Sequence, residues 1–197
     1  MRTRPATPVI SLRPKWAEAL VVLVALWLGA AHAETLSGKV INVADGDTIT
    51  ILSGQVAHRV RLSGMDAPEK GQPYGNRSRQ NLARIAHGRD ATAECHKTDR
   101  YKRKVCRVWV QPLDCPTCGH TLDVGLAQIA AGLAWWYREY SREQSPDDRG
   151  RYEFEELEAR QRKRGLWAMP DPAPPWEWRK KRTDLIPTAN SQNGGGK

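Results

Sequence analysis

The amino-acid sequence predicts an α+β fold that is mainly β, a small five-stranded barrel with three helices packed on it. Between residues 35 and 110, β-branched and partly alternating segments are broken by Asp-Gly and Ser-Gly turns, as expected for a run of short strands. One helix-like segment interrupts this run near residue 74, and two more follow it. Strands and helices in this order fit a small barrel with packed helices.

The strands are predicted from apolar, β-branched stretches. The first three are "KVINV", "DTITIL" and "HRVRLSG", and two more lie near residues 90–95 and 104–110. A basic loop, "HKTDRYKR", joins the last two.

The helices are predicted from apolar spacing and from residues that begin or end helices. The first runs from about residue 74 to residue 87, with Gly88 as its stop, and the second covers "TLDVGLAQIAAGLA". The third is marked best, because Ser145 can cap it, Pro146 suits its first position and Gly165 ends it.

The C-terminal segment is predicted to be irregular. "DPAPPWEW" is too proline-rich for a helix or a central strand, so we expect it to lie along the surface with Trp176 and Trp178 packed onto the body. After Arg182, "TDLIPTANSQNGGGK" lacks the apolar content to fold. Residues 183–197 are therefore predicted to be a disordered tail.

The N-terminus has the pattern of an export signal. Four basic residues precede an uncharged run of 15 residues, "ALVVLVALWLGAAHA", whereas a membrane-spanning helix needs roughly 20. Ala31-His32-Ala33 fits the small-x-small pattern of a signal peptidase site. We expect a signal peptide at residues 1–33 and a periplasmic or secreted domain at residues 34–182. An uncleaved N-terminal anchor is the alternative.

Charge and cysteine content narrow the possible partners and compartment. The net charge of +9 at pH 7 favours an anionic partner, either nucleic acid or a membrane surface. Export permits disulfides, and proximity in sequence favours Cys95–Cys106 and Cys115–Cys118. A zinc site built on "CPTCGH" ranks second, and a redox role ranks third.

Two acidic pairs indicate a cation site. Asp45-Gly46-Asp47 places two carboxylates on one face of a strand, although an Asp-Gly turn explains the first of them. In the second pair, "DAPE" at residues 66–69, the proline restricts Ala67 to an extended shape that can turn its carbonyl outward. Carboxylates and a backbone carbonyl are the oxygen ligands that Ca²⁺ prefers.

Arginines accompany these acids. Arg59 and Arg61 lie between the two pairs and face the same way, and Arg103 comes from the loop "DRYKR". Two guanidinium forks beside a divalent cation are suited to bind a phosphodiester and to stabilise its five-coordinate transition state.

These motifs together resemble the staphylococcal nuclease-like family, also called thermonucleases or micrococcal nucleases. "DGDT", "RLSGMDAPE", "QPYG", "DRYKR", "GLAWWY" and "RGLW" occur in register over roughly residues 37–178. The resemblance implies an OB-fold barrel with three helices. It also implies a calcium-dependent phosphodiesterase that cuts DNA and RNA and leaves 3′-phosphate ends.

The resemblance also implies a ligand set for the cation. Asp47 and Asp66 would bind Ca²⁺ through their side chains and Ala67 through its carbonyl, while Asp45 would bind through water or lie behind them. Glu69 would hold, and is a candidate to deprotonate, the attacking water.

The remaining roles concern the nucleic acid. The resemblance implies that Arg61 and Arg103 grip the phosphate, with Arg103 a candidate to protonate the leaving 5′ oxygen. Arg100 and Tyr101 match positions that contact a terminal phosphate of the nucleotide. Tyr140 is the best candidate among the late aromatic residues for stacking on a base.

The sequence also departs from the family's pattern. Lys102 stands where members usually have glycine, and a lysine does not share glycine's tolerance of positive φ. Of the paired tryptophans, Trp135 or Trp136 is expected in the core.

The leading hypothesis is an exported nuclease that acts on single-stranded or locally opened DNA and RNA. It would work as a monomer, with no stable protein partner and no small-molecule cofactor. Its main rival is an OB-fold module that binds nucleic acid without cutting it. A metal-stabilised structural or membrane-surface protein ranks last, because it leaves the paired arginines unexplained.

Overall fold

The computed structural model describes residues 34–184, which form a closed barrel with helices packed against it. The predicted signal peptide and residues 185–197 of the predicted tail lie outside the described residues. Between residues 34 and 184, no helix combines the length and the apolar character needed to cross a bilayer.

Five long strands build the barrel, and three short strands accompany it. The strands are β1 (Glu34–Val43), β2 (Thr48–Ser53), β3 (Val56–Leu62), β4 (Met65–Asp66), β5 (Asp90–Thr98), β6 (Lys104–Val110), β7 (Leu122–Asp123) and β8 (Trp135–Trp136). Antiparallel pairing runs in the order β3–β2–β1–β5–β6, and parallel pairing of β3 with β6 closes the ring. β7 pairs with β6, and β4 pairs with β8. The predicted five-stranded OB-type barrel of an α+β domain is confirmed.

Four α-helices pack around or follow the barrel. They are α1 (Gly75–Ala86), α2 (Val124–Ala130), α3 (Pro146–Gln161) and α4 (Pro175–Asp184), with short 3-10 helices at Arg138–Glu143 and Gly165–Ala168. The Ser145 hydroxyl accepts a hydrogen bond from the Asp148 amide, so the predicted cap of α3 is confirmed. Gly165, with φ of 54°, begins a 3-10 turn four residues after α3 has ended.

The second helix is half as long as predicted. Leu122 and Asp123 form β7 instead, and the Asp123 side chain then caps α2 by accepting from the Leu126 amide. At the other end, Gly132 adopts φ of 66°, which turns the chain out of the helix toward β8. Edge pairing and a positive-φ glycine thus override the apolar spacing.

The prediction that "DPAPPWEW" contains no helix was wrong from Pro175 onward. Proline is tolerated in the first turn of a helix because its missing N–H would have no acceptor there, and Pro175 begins α4. Trp176 and Trp178 are half-buried, as expected for contact with the body. Because α4 continues to Asp184, it also extends past the predicted domain boundary at Arg182.

The core fills the barrel and the space beneath the helices. Fully buried members include Val40, Ile49, Val60, Leu82 and Ile129. Trp135 and Trp136 are both buried, which confirms the expectation for the pair. The buried Glu156 carboxylate of α3 accepts from the Trp136 amide and pairs with Arg138, so it ties α3 to the segment that follows β8.

Both favoured cysteine pairs are bonded in the structure. Cys95 and Cys106 lie opposite each other in the β5–β6 ladder, and both are buried. Cys115 and Cys118 close a short loop between β6 and β7.

Candidate active site

A cleft of about 740 Å³ lies on the barrel, and most of the predicted site residues line it. The β1–β2 turn, the end of β3, the segment after β4 and the β5–β6 loop all contribute to its wall. The lining includes these predicted residues: Asp47, Arg61, Ala67, Glu69, Arg100, Tyr101, Arg103 and Tyr140. The ninth, Asp66, is fully buried and contacts the cleft through Arg61.

Arg61 joins the two carboxylates predicted to bind a cation. Its Nη1 lies 2.8 Å from Asp47 Oδ2, and its Nη2 lies 2.8 Å from Asp66 Oδ1. Both aspartates are buried, so this charged fork replaces the water that their oxygens lack. The structure therefore brings Asp47, Asp66 and Arg61 into one contact network.

The β1–β2 turn is held from below by a buried amide. Gln128 of α2 donates to the Gly46 carbonyl at 2.9 Å and to Ser78 at 3.1 Å. A Cβ on Gly46 would lie 2.7 Å from the Ala67 Cβ, which is closer than two carbon atoms can approach. The glycine thus lets the Asp45–Asp47 turn pack directly onto the segment that carries Ala67.

Burial and neighbouring charges shift the pKa values of the carboxylates in and beside this turn. Burial and the neighbouring Asp47 carboxylate raise the pKa of Asp45 to about 6. Burial also acts to raise the pKa of Asp47, but the Arg61 charge and hydrogen bonds outweigh it, so this pKa lies below its usual value. Burial raises the pKa of Asp66 despite its arginine partners.

Arg103 is oriented by an aspartate that the sequence reasoning did not single out. Asp99 Oδ2 accepts from Arg103 Nε and Nη2, each at 2.8 Å, and the Thr48 hydroxyl lies 3.2 Å from Nη1. A guanidinium has five N–H donors. These contacts use one N–H on each nitrogen, so one on Nη1 and one on Nη2 stay available for a bidentate anion.

The unusual lysine keeps the backbone shape that glycine would favour. Lys102 has φ of 60°, in the left-handed region that costs a non-glycine residue roughly 1 kcal/mol or more. The turn is fixed on both sides, because the Lys102 amide donates to the Asp99 carbonyl and the Asp99 amide to the Arg103 carbonyl. The substitution is therefore accommodated by strain and not by a rearranged loop.

The predicted nucleotide contacts lie at the open side of the cleft. Tyr101 is 60% exposed, with the Arg100 guanidinium 4.9 Å from its ring centre. Tyr140 is 42% exposed and meets the Tyr137 ring edge-on at 5.0 Å, while Lys97 Nζ lies 4.5 Å from its centre. Exposed rings flanked by cations suit stacked bases and phosphates.

Arg179 of α4 is the largest omission from the sequence prediction. It pairs with Asp66 at 2.7 Å and with Glu69 at 2.6 Å. A basic run begins at this residue, but the prolines and tryptophans before it favour an irregular surface segment, so the sequence alone does not place Arg179 in the site.

The donor set fits a hard cation with few protein ligands. Among residues 34–184, no three His, Cys, Asp or Glu side chains gather in metal-binding geometry. Two buried carboxylates beside an inward-packed Ala67 are compatible with a Ca²⁺ ion that completes its shell with water. Burial is the main reason that the pKa of Asp45 is raised, and the neighbouring Asp47 carboxylate adds to it with a negative charge that such an ion would offset.

Comparison with known proteins gives a consistent result. A family model described as staphylococcal nuclease homologue matches residues 59–169. The chain is 39% identical over 145 residues to a micrococcal nuclease of Shigella flexneri, covering 73% of this chain and 80% of that protein. It is 39% identical over 165 residues to protein ParB of Escherichia coli, covering 84% and 89%. It is also 35% identical over 147 residues to an uncharacterized endonuclease of Escherichia coli O157:H7, covering 75% and 87%.

Proposed function

The chain belongs to the staphylococcal nuclease family and is a nuclease that hydrolyses phosphodiester bonds, and from this premise we propose that it is an exported, calcium-dependent endonuclease. It acts on DNA and RNA without preference for the sugar and leaves 3′-phosphate ends. The observation that carries the proposal is the meeting of Arg61 and Arg103 with the buried Asp47–Asp66 pair in one cleft.

The two arginines bind the scissile phosphate beside the cation site. Arg61 is held on β3 by Asp47 and Asp66, and Arg103 is held at the start of β6 by Asp99. Register places Arg61 beside Val105 across the β3–β6 closure, and Arg103 directly precedes β6, so the two arginines lie at neighbouring positions of the barrel. Charge that builds up on the phosphoryl oxygens is thus met by two fixed positive groups.

The cation would be held by Asp47, Asp66 and the carbonyl of Ala67, and when bound it supplies charge that polarises the phosphate and the water. Glu69 takes the proton of the attacking water as the water oxygen bonds to phosphorus. The P–O5′ bond breaks, the 3′ side keeps the phosphate, and the 5′ oxygen leaves with a proton. Arg103, which faces that oxygen in this scheme, is the donor or orients the water that donates.

The open side of the cleft binds the nucleotide. Arg100 and Tyr101 contact phosphate beyond the scissile bond, and Tyr140 stacks on a base. A splayed single strand exposes base faces to such rings, whereas a duplex hides them. We therefore expect single-stranded or locally opened DNA and RNA to be the preferred substrates.

The cellular setting follows from the sequence. The leader at residues 1–33 would direct export, and removal after Ala33 would leave a periplasmic or secreted monomer. An oxidising compartment is consistent with the paired Cys95–Cys106 and Cys115–Cys118 sulfurs.

The test is digestion of single-stranded DNA and RNA by protein that begins at Glu34. Cleavage is measured in Ca²⁺, in Mg²⁺ and in chelator for the parent, Arg61→Ala and Glu69→Ala. Two exposed residues give matched controls: Glu153→Ala within α3 and Arg162→Ala directly after it. Cleavage confined to Ca²⁺, lost in the two site variants and kept in the controls, would support the proposal. Tight, salt-sensitive binding without cleavage would replace it with a non-catalytic binding module.

A further inference from the structure

Arg179 reaches the two carboxylates that the mechanism uses most directly. Its Nη2 lies 2.7 Å from Asp66 Oδ2, and its Nη1 lies 3.2 Å from Asp66 Oδ1 and 2.6 Å from Glu69 Oε1. Arg179 is 40% exposed, whereas Asp66 is fully buried. The guanidinium therefore lies as a bridge between a cation ligand and the acceptor of the water proton.

The contacts leave acceptor sites free on both carboxylates. An ionised carboxylate offers about four lone-pair sites. Asp66 gives three of them to Arg61 and Arg179, which leaves one on Oδ2 for a cation. Glu69 gives Oε1 to Arg179, and its Oε2 accepts from no protein group among residues 34–184. The bridge thus orients both groups without occupying the sites that a cation and a water molecule need.

Helix α4 is docked onto the site at two further points. The Gln72 side chain donates to the Ala173 carbonyl at 2.7 Å and accepts from the Glu69 amide at 3.0 Å, so one amide links the Glu69 segment to the start of α4. At the second residue of the helix, Trp176 stacks on Tyr137 with ring centres 5.4 Å apart. Both contacts fix the helix that delivers Arg179, so its position is built into the fold.

We propose that Arg179 is a positioning residue of the reaction, which clamps Glu69 to Asp66 in the geometry that water attack requires. The proposal rests on the proposed function. It adds α4, which follows the rest of the site in the chain, to the active site. Arg179 acts through Asp66 and Glu69, not on the phosphate.

The clamp predicts an electrostatic effect that distinguishes a positioning role for Arg179 from direct binding of the phosphate. The positive charge of Arg179 beside Asp66 repels the cation that this carboxylate binds. Neutralising Arg179 therefore strengthens cation binding while it loosens Glu69, so cation affinity and turnover move in opposite directions. A lysine keeps the charge but cannot present a fork to two carboxylates at once.

The experiment compares the full-length protein with Arg179→Gln, Arg179→Lys and the control Arg182→Gln, an exposed cation on the same helix. CaCl₂ alone is titrated by calorimetry without nucleic acid. Turnover and KM are then measured on single-stranded DNA at saturating Ca²⁺, and thermal unfolding is measured in chelator.

For Arg179→Gln we expect the Ca²⁺ dissociation constant to fall about threefold or more and kcat to fall about tenfold or more, with KM nearly unchanged. Arg179→Lys should restore the parent's Ca²⁺ affinity but not its kcat, and Arg182→Gln should match the parent in both. The lysine variant also keeps the test decisive if the glutamine variant fails to fold.

Three results would overturn the clamp. Unchanged kcat in Arg179→Gln would show that Glu69 needs no positioning. A rise in KM alone would make Arg179 a phosphate ligand. Weaker Ca²⁺ binding together with a lowered unfolding temperature would make its role structural. A parent that does not cleave would remove the proposed function and the clamp together, whereas an active parent with an equally active Arg179→Gln removes only the clamp.

Discussion

Replacing Asp99 tests how much of the activity depends on a fixed Arg103. One Asp99 oxygen accepts from the Tyr101 and Arg103 amides, both at 2.9 Å, and the other accepts from the Arg103 side chain. Asp99→Asn keeps the oxygen that holds the backbone but places an NH₂ donor against the guanidinium. Asp99→Ala removes both functions.

The contacts set the size of the expected effects. A hydrogen bond to a charged group contributes about 1.5–3 kcal/mol, and each 1.36 kcal/mol of transition-state stabilisation is about tenfold in rate. Asp99→Asn should therefore lower kcat/KM roughly 10- to 100-fold. Asp99→Ala should match that loss and also lower the free energy of unfolding by about 1–3 kcal/mol, because two loop amides lose their acceptor.

The same network makes a pH-dependent contribution to stability. Partial burial acts to raise the pKa of Asp99, but hydrogen bonds and the charge of Arg103 outweigh it and lower that pKa. The stabilisation is therefore present above the unfolded-state value of about 3.9 and is lost as the pH falls toward the folded-state pKa. Asp99→Asn should remove this part of the acid sensitivity.

The assay combines steady-state cleavage of single-stranded DNA with urea unfolding at pH 7 and at acidic pH. Asp114→Asn, an exposed aspartate outside the cleft, makes the same charge change as a control. Parental kcat/KM in Asp99→Asn would refute the reasoning, because Arg103 would then be positioned without its aspartate. Equal unfolding energies for Asp99→Ala and Asp99→Asn would refute the role assigned to the loop amides.

Three further substitutions test other parts of the site. Lys102→Gly should stabilise the fold by about 0.5–1 kcal/mol, since glycine adopts a positive φ without strain. Urea unfolding of Lys102→Gly and Lys102→Ala measures this gain, and equal unfolding energies for the two variants would contradict it. Gly46→Ala should destabilise by about 1–3 kcal/mol, because its Cβ would collide with Ala67, and a thermal melt at or above the parental temperature would argue against that collision. Gln128→Leu should lower the free energy of unfolding by about 2–3 kcal/mol, because it leaves the Gly46 carbonyl unpaired. It should also weaken Ca²⁺ binding in calorimetry, and a parental Ca²⁺ affinity would show that the β1–β2 turn holds its shape alone.

Much of the barrel and the site could be predicted because short stretches of sequence determine them. Alternation along a strand places Arg59 and Arg61 on one face of β3. Asp45 and Asp47 lie instead in the turn between β1 and β2, which the Asp-Gly pair indicates. The motif order then relates these strands to the loop that carries Arg103. The structure gathers these residues in one cleft, as this reasoning predicts.

The omissions depend on contacts that no local pattern records. Arg179 meets Asp66 across a separation of 113 residues, and Gln128 meets Gly46 across 82. Gln128 lies in an apolar helix, where a polar residue gives no indication of its partner. Asp99 was within a recognised motif, but its role follows only from the loop geometry that turns Arg103 back toward it.

The length of β6 separates the disulfide-closed loop from the part of the molecule that reacts. β6 begins next to Arg103 and runs for seven residues before the loop that holds Cys115 and Cys118. At about 3.3 Å per residue, that loop lies roughly 20 Å along the strand from the guanidinium. β6 is hydrogen-bonded to both β3 and β5, which fixes it in the barrel. A change in the length of the loop is therefore not transmitted along β6 to the cleft. This loop is therefore a suitable place to attach a fluorophore, a surface tether or a second domain while leaving the nuclease site undisturbed.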